Sequence, residues 1–218
     1  MTQPRPDQPR PDQPSLDQPS LFADADPEPA LDPTFTGAER HALDATSWLE
    51  IVPGWVSGGD ALMAEILQVA EFEQRQRWMY DKRVDEPRLT AEYRELGAAP
   101  LFLRALAEAL SAHYGVPYDG LWINFYRDER DSTSWHRDHA TCRKPECVVP
   151  VLTLGATRRF LLRPADGGPS TGFSPTSGDL VVMGGRCQSD WKHSVPKQRT
   201  PSGPRVSINF SSTSQFTP

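Results

Sequence analysis

The sequence predicts an α+β domain built on a jelly roll or other β-sandwich, and three observations predict it. Two segments before residue 117 carry apolar residues at helical spacing, five segments after it alternate or run apolar over strand lengths, and turn glycines separate those five. The 22 prolines are unevenly spread: nine fall in residues 1–33, with seven acidic and two basic residues. That segment carries most of the net charge of −6, so the mean hydropathy of −0.56 understates how well the rest can fold. The expected organisation is a disordered Pro-rich tail over 1–40 and one folded domain over 41–218, with helices over 41–117 and the β core over 118–218.

In chain order, residues 3–20 repeat a pentapeptide, QPRPD QPRPD QPSLD QPS, with a proline at the second place of every unit. Such a segment has little to bury and favours polyproline II, so it reads as a solubilising leader before it reads as a ligand for a proline-binding module. Trp48, Leu49, Ile51, Val52 and Trp55 then precede a Gly58-Gly59-Asp60 break. Asp60 is placed to cap a helix running through Glu71, with Leu62, Met63, Ile66, Leu67 and Ala70 on one face. A second helix is expected from Pro100 to Tyr114, with Leu101, Phe102, Ala105, Leu106, Ala109 and Leu110 facing inward. Both read as support helices. After Pro117 come LWINFY, CVVPVLTL, RRFLLR, DLVVMG and RVSINF, separated by Gly155, Gly167-Gly168 and Gly178. Pro150 inside the second run points to an edge strand or a bulge.

No stretch of eighteen apolar residues exists, and the N-terminus MTQPRPDQPR lacks the apolar stretch of a signal peptide. A cytoplasmic protein with no membrane span is therefore expected. Cys142, Cys147 and Cys187 cannot all pair within one chain and fit free thiols in a reducing compartment. C-x4-C beside His139 is poor zinc spacing, so a loop with free cysteines is expected there. Residues 34–140 hold 18 acids and 11 bases, whereas 141–218 hold 4 acids and 10 bases. The asymmetry fits a basic surface for an anionic partner or two halves that neutralise each other in one fold; on charge alone the second is preferred.

The chemistry concentrates in NFYRDERDSTSWHRDHA, residues 124–140. His136 and Asp138, two apart, project to one side of an extended strand and can share a metal ion. His193, in DWKHSVPK after the Gly184-Gly185 turn, supplies a third donor. Two histidines and one carboxylate are the ligand set of non-haem Fe(II) oxygenases, which leaves three adjacent positions for cosubstrate and oxygen. Alone, the same residues also fit a surface His-Asp pair and an unrelated histidine. The flanks favour the metal. Arg205 opens RVSINF and is suited to a bidentate pair with a ligand's distal carboxylate, while Asn124 and Tyr126 share one strand face and can hydrogen-bond the same dicarboxylate.

At NFY...WHRD, VLTLGATRRFLLR, DWKHSVPK, PRVSINF and, more weakly, WMYDKRVDEPRLTAEY, the chain resembles the AlkB family of Fe(II)- and 2-oxoglutarate-dependent dioxygenases, the nucleic-acid demethylases. The resemblance covers most of residues 48–212. It implies a double-stranded β-helix with iron on His136, Asp138 and His193, and 2-oxoglutarate on Asn124, Tyr126, Arg205 and Ser207, with oxygen as the second cosubstrate. Trp78, Met79 and Tyr80, with Arg88 and Tyr93, would belong to a lid that receives the base. The chain departs from the family pattern at Ser211, where a second arginine is usual, with Arg199 a candidate to replace it. It departs again at Ala140, where an acidic residue is usual, and at Glu92, where an aromatic is common.

The implied activity is oxidative demethylation of N-alkylated bases in DNA or RNA, coupled to 2-oxoglutarate decarboxylation. The implied partner is alkylated nucleic acid, single-stranded or with its base flipped out, met by a monomer. Arg158, Arg159, Lys192, Lys197 and Arg199 are expected along the phosphate backbone. The alternatives are the same iron chemistry on a protein, lipid or small molecule, and a weakly catalytic nucleic-acid-binding protein.

Overall fold

The computed structural model describes residues 28–79, 81–138 and 142–216; the pentapeptide repeat, Tyr80, His139 and Ala140 lie outside them. The strands are β1 (Ala30–Leu31), β2 (Glu39–Ala42), β3 (Ser47–Val52), β4 (Val56–Ser57), β5 (Gln76–Met79), β6 (Lys82–Asp85), β7 (Leu89–Tyr93), β8 (Gly120–Tyr126), β9 (Thr133–His136), β10 (Val149–Gly155), β11 (Phe160–Pro164), β12 (Thr171–Phe173), β13 (Leu180–Gly185), β14 (Trp191–Val195) and β15 (Arg205–Ser211). Helix α1 spans Gly59–Val69, α2 Leu101–Tyr114 and α3 Cys187–Asp190.

An antiparallel seven-stranded sheet, β2-β3-β13-β10-β15-β8-β7, faces a four-stranded one, β12-β11-β14-β9. This is the expected jelly roll. Strand periodicity divides the large sheet's residues between two cores. Leu121, Ile123, Leu152, Leu154, Leu180, Val182, Val206, Ile208 and Phe210 pack against the helices, where Leu62, Ile66, Leu103, Leu106 and Leu110 meet them. The alternate residues, Val149, Val151, Val181 and Met183, face the small sheet's Phe160, Leu162, Trp191 and Val195. Burying each such side chain contributes roughly 1.5–3 kcal/mol, so the helices clamp the large sheet from behind and leave its front to build a site.

Helix α1 starts earlier and ends sooner than expected, spanning Gly59–Val69. Gly58, in a left-handed conformation at φ 66°, caps α1, and Asp60 lies in the first turn instead. Pro100 caps α2, whose inner face is Leu103, Leu106, Ala107 and Leu110, while Leu101 and Ala105, both expected inward, are exposed. Pro150 is not at an edge. It pairs with Val182 in a central strand, but pairing with β15 begins only at Val151, so the missing N–H falls at the end of that ladder.

Folding begins ahead of residue 41. β1 pairs with β4 and β2 with β3, and between them Phe35 is buried, its ring stacked 3.7 Å from that of His113 and 5.5 Å from that of Trp55. Phe35 sits at φ 54°, a conformation costing about 1–2 kcal/mol, which burial of a whole aromatic ring offsets. Cys142 and Cys147 are not free thiols: a disulfide joins them, with Cα atoms 6.0 Å apart. The four-residue spacing let a tight loop bring the two together, and only Cys187 remains a buried thiol, pushed up to about 12 by burial. Among the described residues no helix is long and apolar enough to cross a membrane.

Candidate active site

β9 and β14 are neighbours in the small sheet, and their register sets His136 directly opposite His193. Their rings lie 4.2 Å apart, and Asp138, just past the end of β9, fills the gap between them. Nε2 of His136 is 3.3 Å from Asp138 Oδ1, and Nε2 of His193 is 3.4 Å from Oδ2. All three donor atoms lie within 4.8 Å of one another. The backbone N–H of Asp138 donates to Gln188 Oε1 at 2.8 Å, which fixes the carboxylate from α3. His136 Nδ1 is 2.9 Å from Ser134 O; a carbonyl can only accept, so Nδ1 carries a hydrogen and Nε2, which faces Asp138, is the nitrogen left to bind a metal in place of its proton.

The electrostatics suit a cation. Burial would raise the Asp138 carboxyl, but the two imidazoles outweigh it and hold the group well below the usual range. Burial pushes the His193 imidazole below its ordinary value, so it is neutral at physiological pH. For His136 burial acts in the same direction, but the hydrogen bond and charge of Asp138 prevail and raise it.

The cosubstrate residues come from the large sheet's front. β15 and β8 pair Arg205 with Tyr126 and Ser207 with Asn124. Arg205 is 1% exposed, opposite Gly155, where a side chain would strike Pro204 O at 2.5 Å. Its Nη2 donates to Thr153 Oγ1 at 3.1 Å, while Nε and Nη1 have no hydrogen-bond partner. A buried guanidinium with donors to spare is costly unless an anion completes it. Tyr126 adjoins it and shares a 2.8 Å hydrogen bond with Thr133 Oγ1. These residues and the metal triad line one cavity of about 280 Å³, with Val151, Phe160, Met183 and Val195 as its apolar wall.

The mouth of the cavity holds Arg75, Arg88, Glu92, Trp122 and Ser211. Arg88 lies here, donating through Nε to Asn124 Oδ1 at 2.9 Å. Trp78 is not among the cavity's residues: it stands on the β5–β6 hairpin, 70% exposed and opposite Arg83, while its neighbour Arg77 ties the hairpin to β9, Nη1 donating to Ser134 Oγ at 3.0 Å. Met79 ends β5 opposite Lys82. The structure does not bring Tyr93 to the cavity: β7 alternates, so Thr90 and Glu92 face Asn124 and Trp122 while Tyr93 turns towards the helices and a separate depression beside α2. Arg158 cannot follow a phosphate backbone, because it is wholly buried with its guanidinium on three carbonyl oxygens. Arg199 is exposed in the loop before β15 and is not among the cavity's residues, so it does not replace the arginine that Ser211 lacks. The sequence reading passed over Thr133, Thr153, Gln188 and Trp122. Of these only Trp122 carried a signal, since it stands two before Asn124 on the same strand face.

The model of the 2OG-Fe(II) oxygenase superfamily matches residues 54–211. The chain belongs to that superfamily. Human alkB homolog 3, an alpha-ketoglutarate-dependent dioxygenase, is 30% identical over 184 residues, covering 73% of this chain and 64% of its own length. The DNA oxidative demethylase ALKBH2 of Arabidopsis thaliana is 28% identical over 132 residues, covering 48% of this chain and 42% of its own. The chain thus spans less than two thirds of the length of these curated relatives. Among solved structures, OsALKBH1 aligns with a TM-score of 0.57 at 12% identity, over 80% of this chain and 100% of that one, a likeness of fold. The family's iron(II), 2-oxoglutarate and oxygen fit what is present: two imidazoles and a carboxylate for the metal, and the orphaned donors of Arg205 for a carboxylate.

Proposed function

We propose that the protein oxidatively demethylates N-alkylated bases in DNA or RNA. The observation that carries this reading is the exposed Trp78 on a hairpin whose Arg77 is bonded to the metal-bearing strand. A flat, unburied indole on a hairpin tied to the metal-bearing strand is suited to stacking on a base, worth about 1–3 kcal/mol per base. Exposed Lys82 and Arg83 beside it suit a phosphate backbone. The names of the relatives point the same way.

When bound, iron(II) with 2-oxoglutarate and oxygen supplies oxidation of the N-methyl group, yielding carbon dioxide, succinate, formaldehyde and the unmethylated base. His136, Asp138 and His193 hold the metal. Arg205 neutralises the far carboxylate of the cosubstrate, and Asn124 and Ser207 offer it polar groups. Phe160, Val151, Met183 and Val195 keep water from the reacting face. The methyl group must reach the cavity, so the base is unpaired or flipped out, and stacking on Trp78 repays part of that cost. A monomer in the cytosol belongs to the same reading.

The test is release of succinate and formaldehyde with Fe(II), 2-oxoglutarate and oxygen, with and without a single-stranded oligonucleotide carrying 1-methyladenine or 3-methylcytosine. Formaldehyde that depends on the oligonucleotide and disappears in His136→Ala is expected. Succinate without formaldehyde would move the search to another substrate; neither product, with metal bound, would leave a binding protein.

A further inference from the structure

Asn124 sits at the centre of a convergence the cosubstrate site does not by itself require. Its Oδ1 accepts from two donors at once: the indole Nε1 of Trp122 at 2.8 Å and Nε of Arg88 at 2.9 Å. Neither nitrogen can accept a hydrogen bond, so the amide atom facing them must be the oxygen. The amide is therefore locked with Nδ2 on the other side, where it donates to Ser207 Oγ at 3.3 Å, and Nδ2 has a second hydrogen to give. Trp122 and Asn124 share the front face of β8, and both line the cavity.

The two donors are themselves held. Arg75 lies over the Trp122 ring with Cζ 3.9 Å from its centroid and pairs with Glu92 at 3.1 Å, and Glu92 is the register partner of Trp122. Arg88 pairs with Glu86 at 2.9 Å, and its backbone carbonyl accepts from Gln74 Nε2 at 3.2 Å. Arg75 and Glu86, which flank the β5–β6 hairpin, are joined by the hydrogen bond from Glu86 N to Arg75 O at 2.8 Å. The setting of the Asn124 amide thus depends on the root of the hairpin.

We propose that Trp122 and Arg88 are positioning residues for 2-oxoglutarate: they saturate Asn124 Oδ1 and so present Nδ2, a donor, to the cosubstrate's oxygens. Without them the amide can turn over and set an oxygen against a carboxylate. Trp122 acts through its N–H, and its ring need not touch the ligand. Arg88 is the second donor, and through it the hairpin and the cosubstrate pocket share one hydrogen-bonded unit.

The test measures 2-oxoglutarate binding by calorimetry on Mn(II)-loaded protein without oxygen, so that no turnover is read. Trp122→Phe keeps an aromatic ring for Arg75 and removes the N–H, with part of the indole. The dissociation constant for 2-oxoglutarate should rise about fivefold, the effect of one neutral hydrogen bond, with Mn(II) affinity and melting temperature unchanged. Asn124→Ala should weaken binding at least as much, and Trp122→Phe added to it should then cost nothing more, since the residue it acts through is gone. An unchanged dissociation constant in Trp122→Phe, or a full further loss in the Asn124→Ala background, overturns the proposal. Should Trp122→Phe fail to fold, Arg88→Gln approaches the same oxygen from the other donor and must show the same loss and the same non-additivity.

Discussion

Two buried arginines stand beside Tyr126 and teach opposite lessons. Arg158 has Cζ 5.8 Å from the ring centroid and Arg205 5.2 Å, and both are almost wholly excluded from solvent. Arg158 spends its terminal nitrogens on the protein, donating to Asp128 O at 2.9 Å and to Asp131 O and Pro196 O at 2.8 Å. Those carbonyls belong to the loop that leads into β9 and to the residue that follows β14, so this guanidinium fastens together the strands that carry His136 and His193. Arg205 makes one hydrogen bond and leaves two nitrogens without a partner inside the cavity. Burial lowers both guanidinium pKa values, and neither group loses its charge at physiological pH. Arg158 leaves only Nε without a partner, whereas Arg205 leaves Nε and a whole terminal nitrogen; a buried cation whose terminal nitrogens the fold fills is structure, and one whose terminal nitrogens it leaves short is a binding site.

The largest effect expected from breaking this contrast is on stability at Arg158. Arg158→Met keeps the volume but orphans three buried carbonyls and separates two loops, so unfolding free energy should fall by roughly 3–5 kcal/mol, the range for breaking a buried charged network. Denaturant titration of the apo protein measures it. A loss under about 1 kcal/mol would mean the loops hold without the clamp. Arg205→Met should do the reverse. Removing an under-satisfied buried charge should leave apo stability equal or higher, as at other sites where function is held at the cost of stability. Its affinity for 2-oxoglutarate should drop up to about 100-fold, since charged hydrogen bonds contribute about 1.5–3 kcal/mol. A large stability loss with little change in affinity would give Arg205 the role assigned to Arg158.

The same contrast explains what the sequence made legible. His136, Asp138, His193, Asn124, Tyr126, Arg205 and Ser207 could be found because strand periodicity fixes which residues share a face, and the chemistry then needs a few residue types on that face. The front of the sheet follows from alternation alone. Arg158 was misplaced because composition cannot distinguish a surface cation from one folded under two loops; the carbonyls that hold it come from the backbone and leave no trace in residue types. Tyr93 failed on parity: it is three residues past Thr90, so a strand turns it away from the face that Thr90 and Glu92 share. Cys142 and Cys147 were read from compartment and count, whereas a six-residue loop decides their pairing locally. Strands β1 and β2 were absorbed into the tail because their segment is short and polar, and its one anchor, Phe35, is held by residues far along the chain, His113 and Tyr114.

The smallest of these effects belongs to the β5–β6 hairpin, where exposure replaces burial. Trp78 shows 70% of its surface, so Trp78→Ala removes little packing and should leave the melting temperature unchanged. Neither the metal donors nor Arg205 touches it, so 2-oxoglutarate affinity should not change either. What it should lose is stacking on an unpaired base, about 1–3 kcal/mol, which raises KM for a methylated oligonucleotide about 5- to 100-fold while kcat at saturation stays near that of the parent. Trp78→Phe, which keeps a flat ring, should recover much of the loss. If Trp78→Ala instead lowered kcat with KM constant, the indole would act after binding, by closing the hairpin over the base, and the tie between Arg77 and Ser134 would become the contact that matters for turnover.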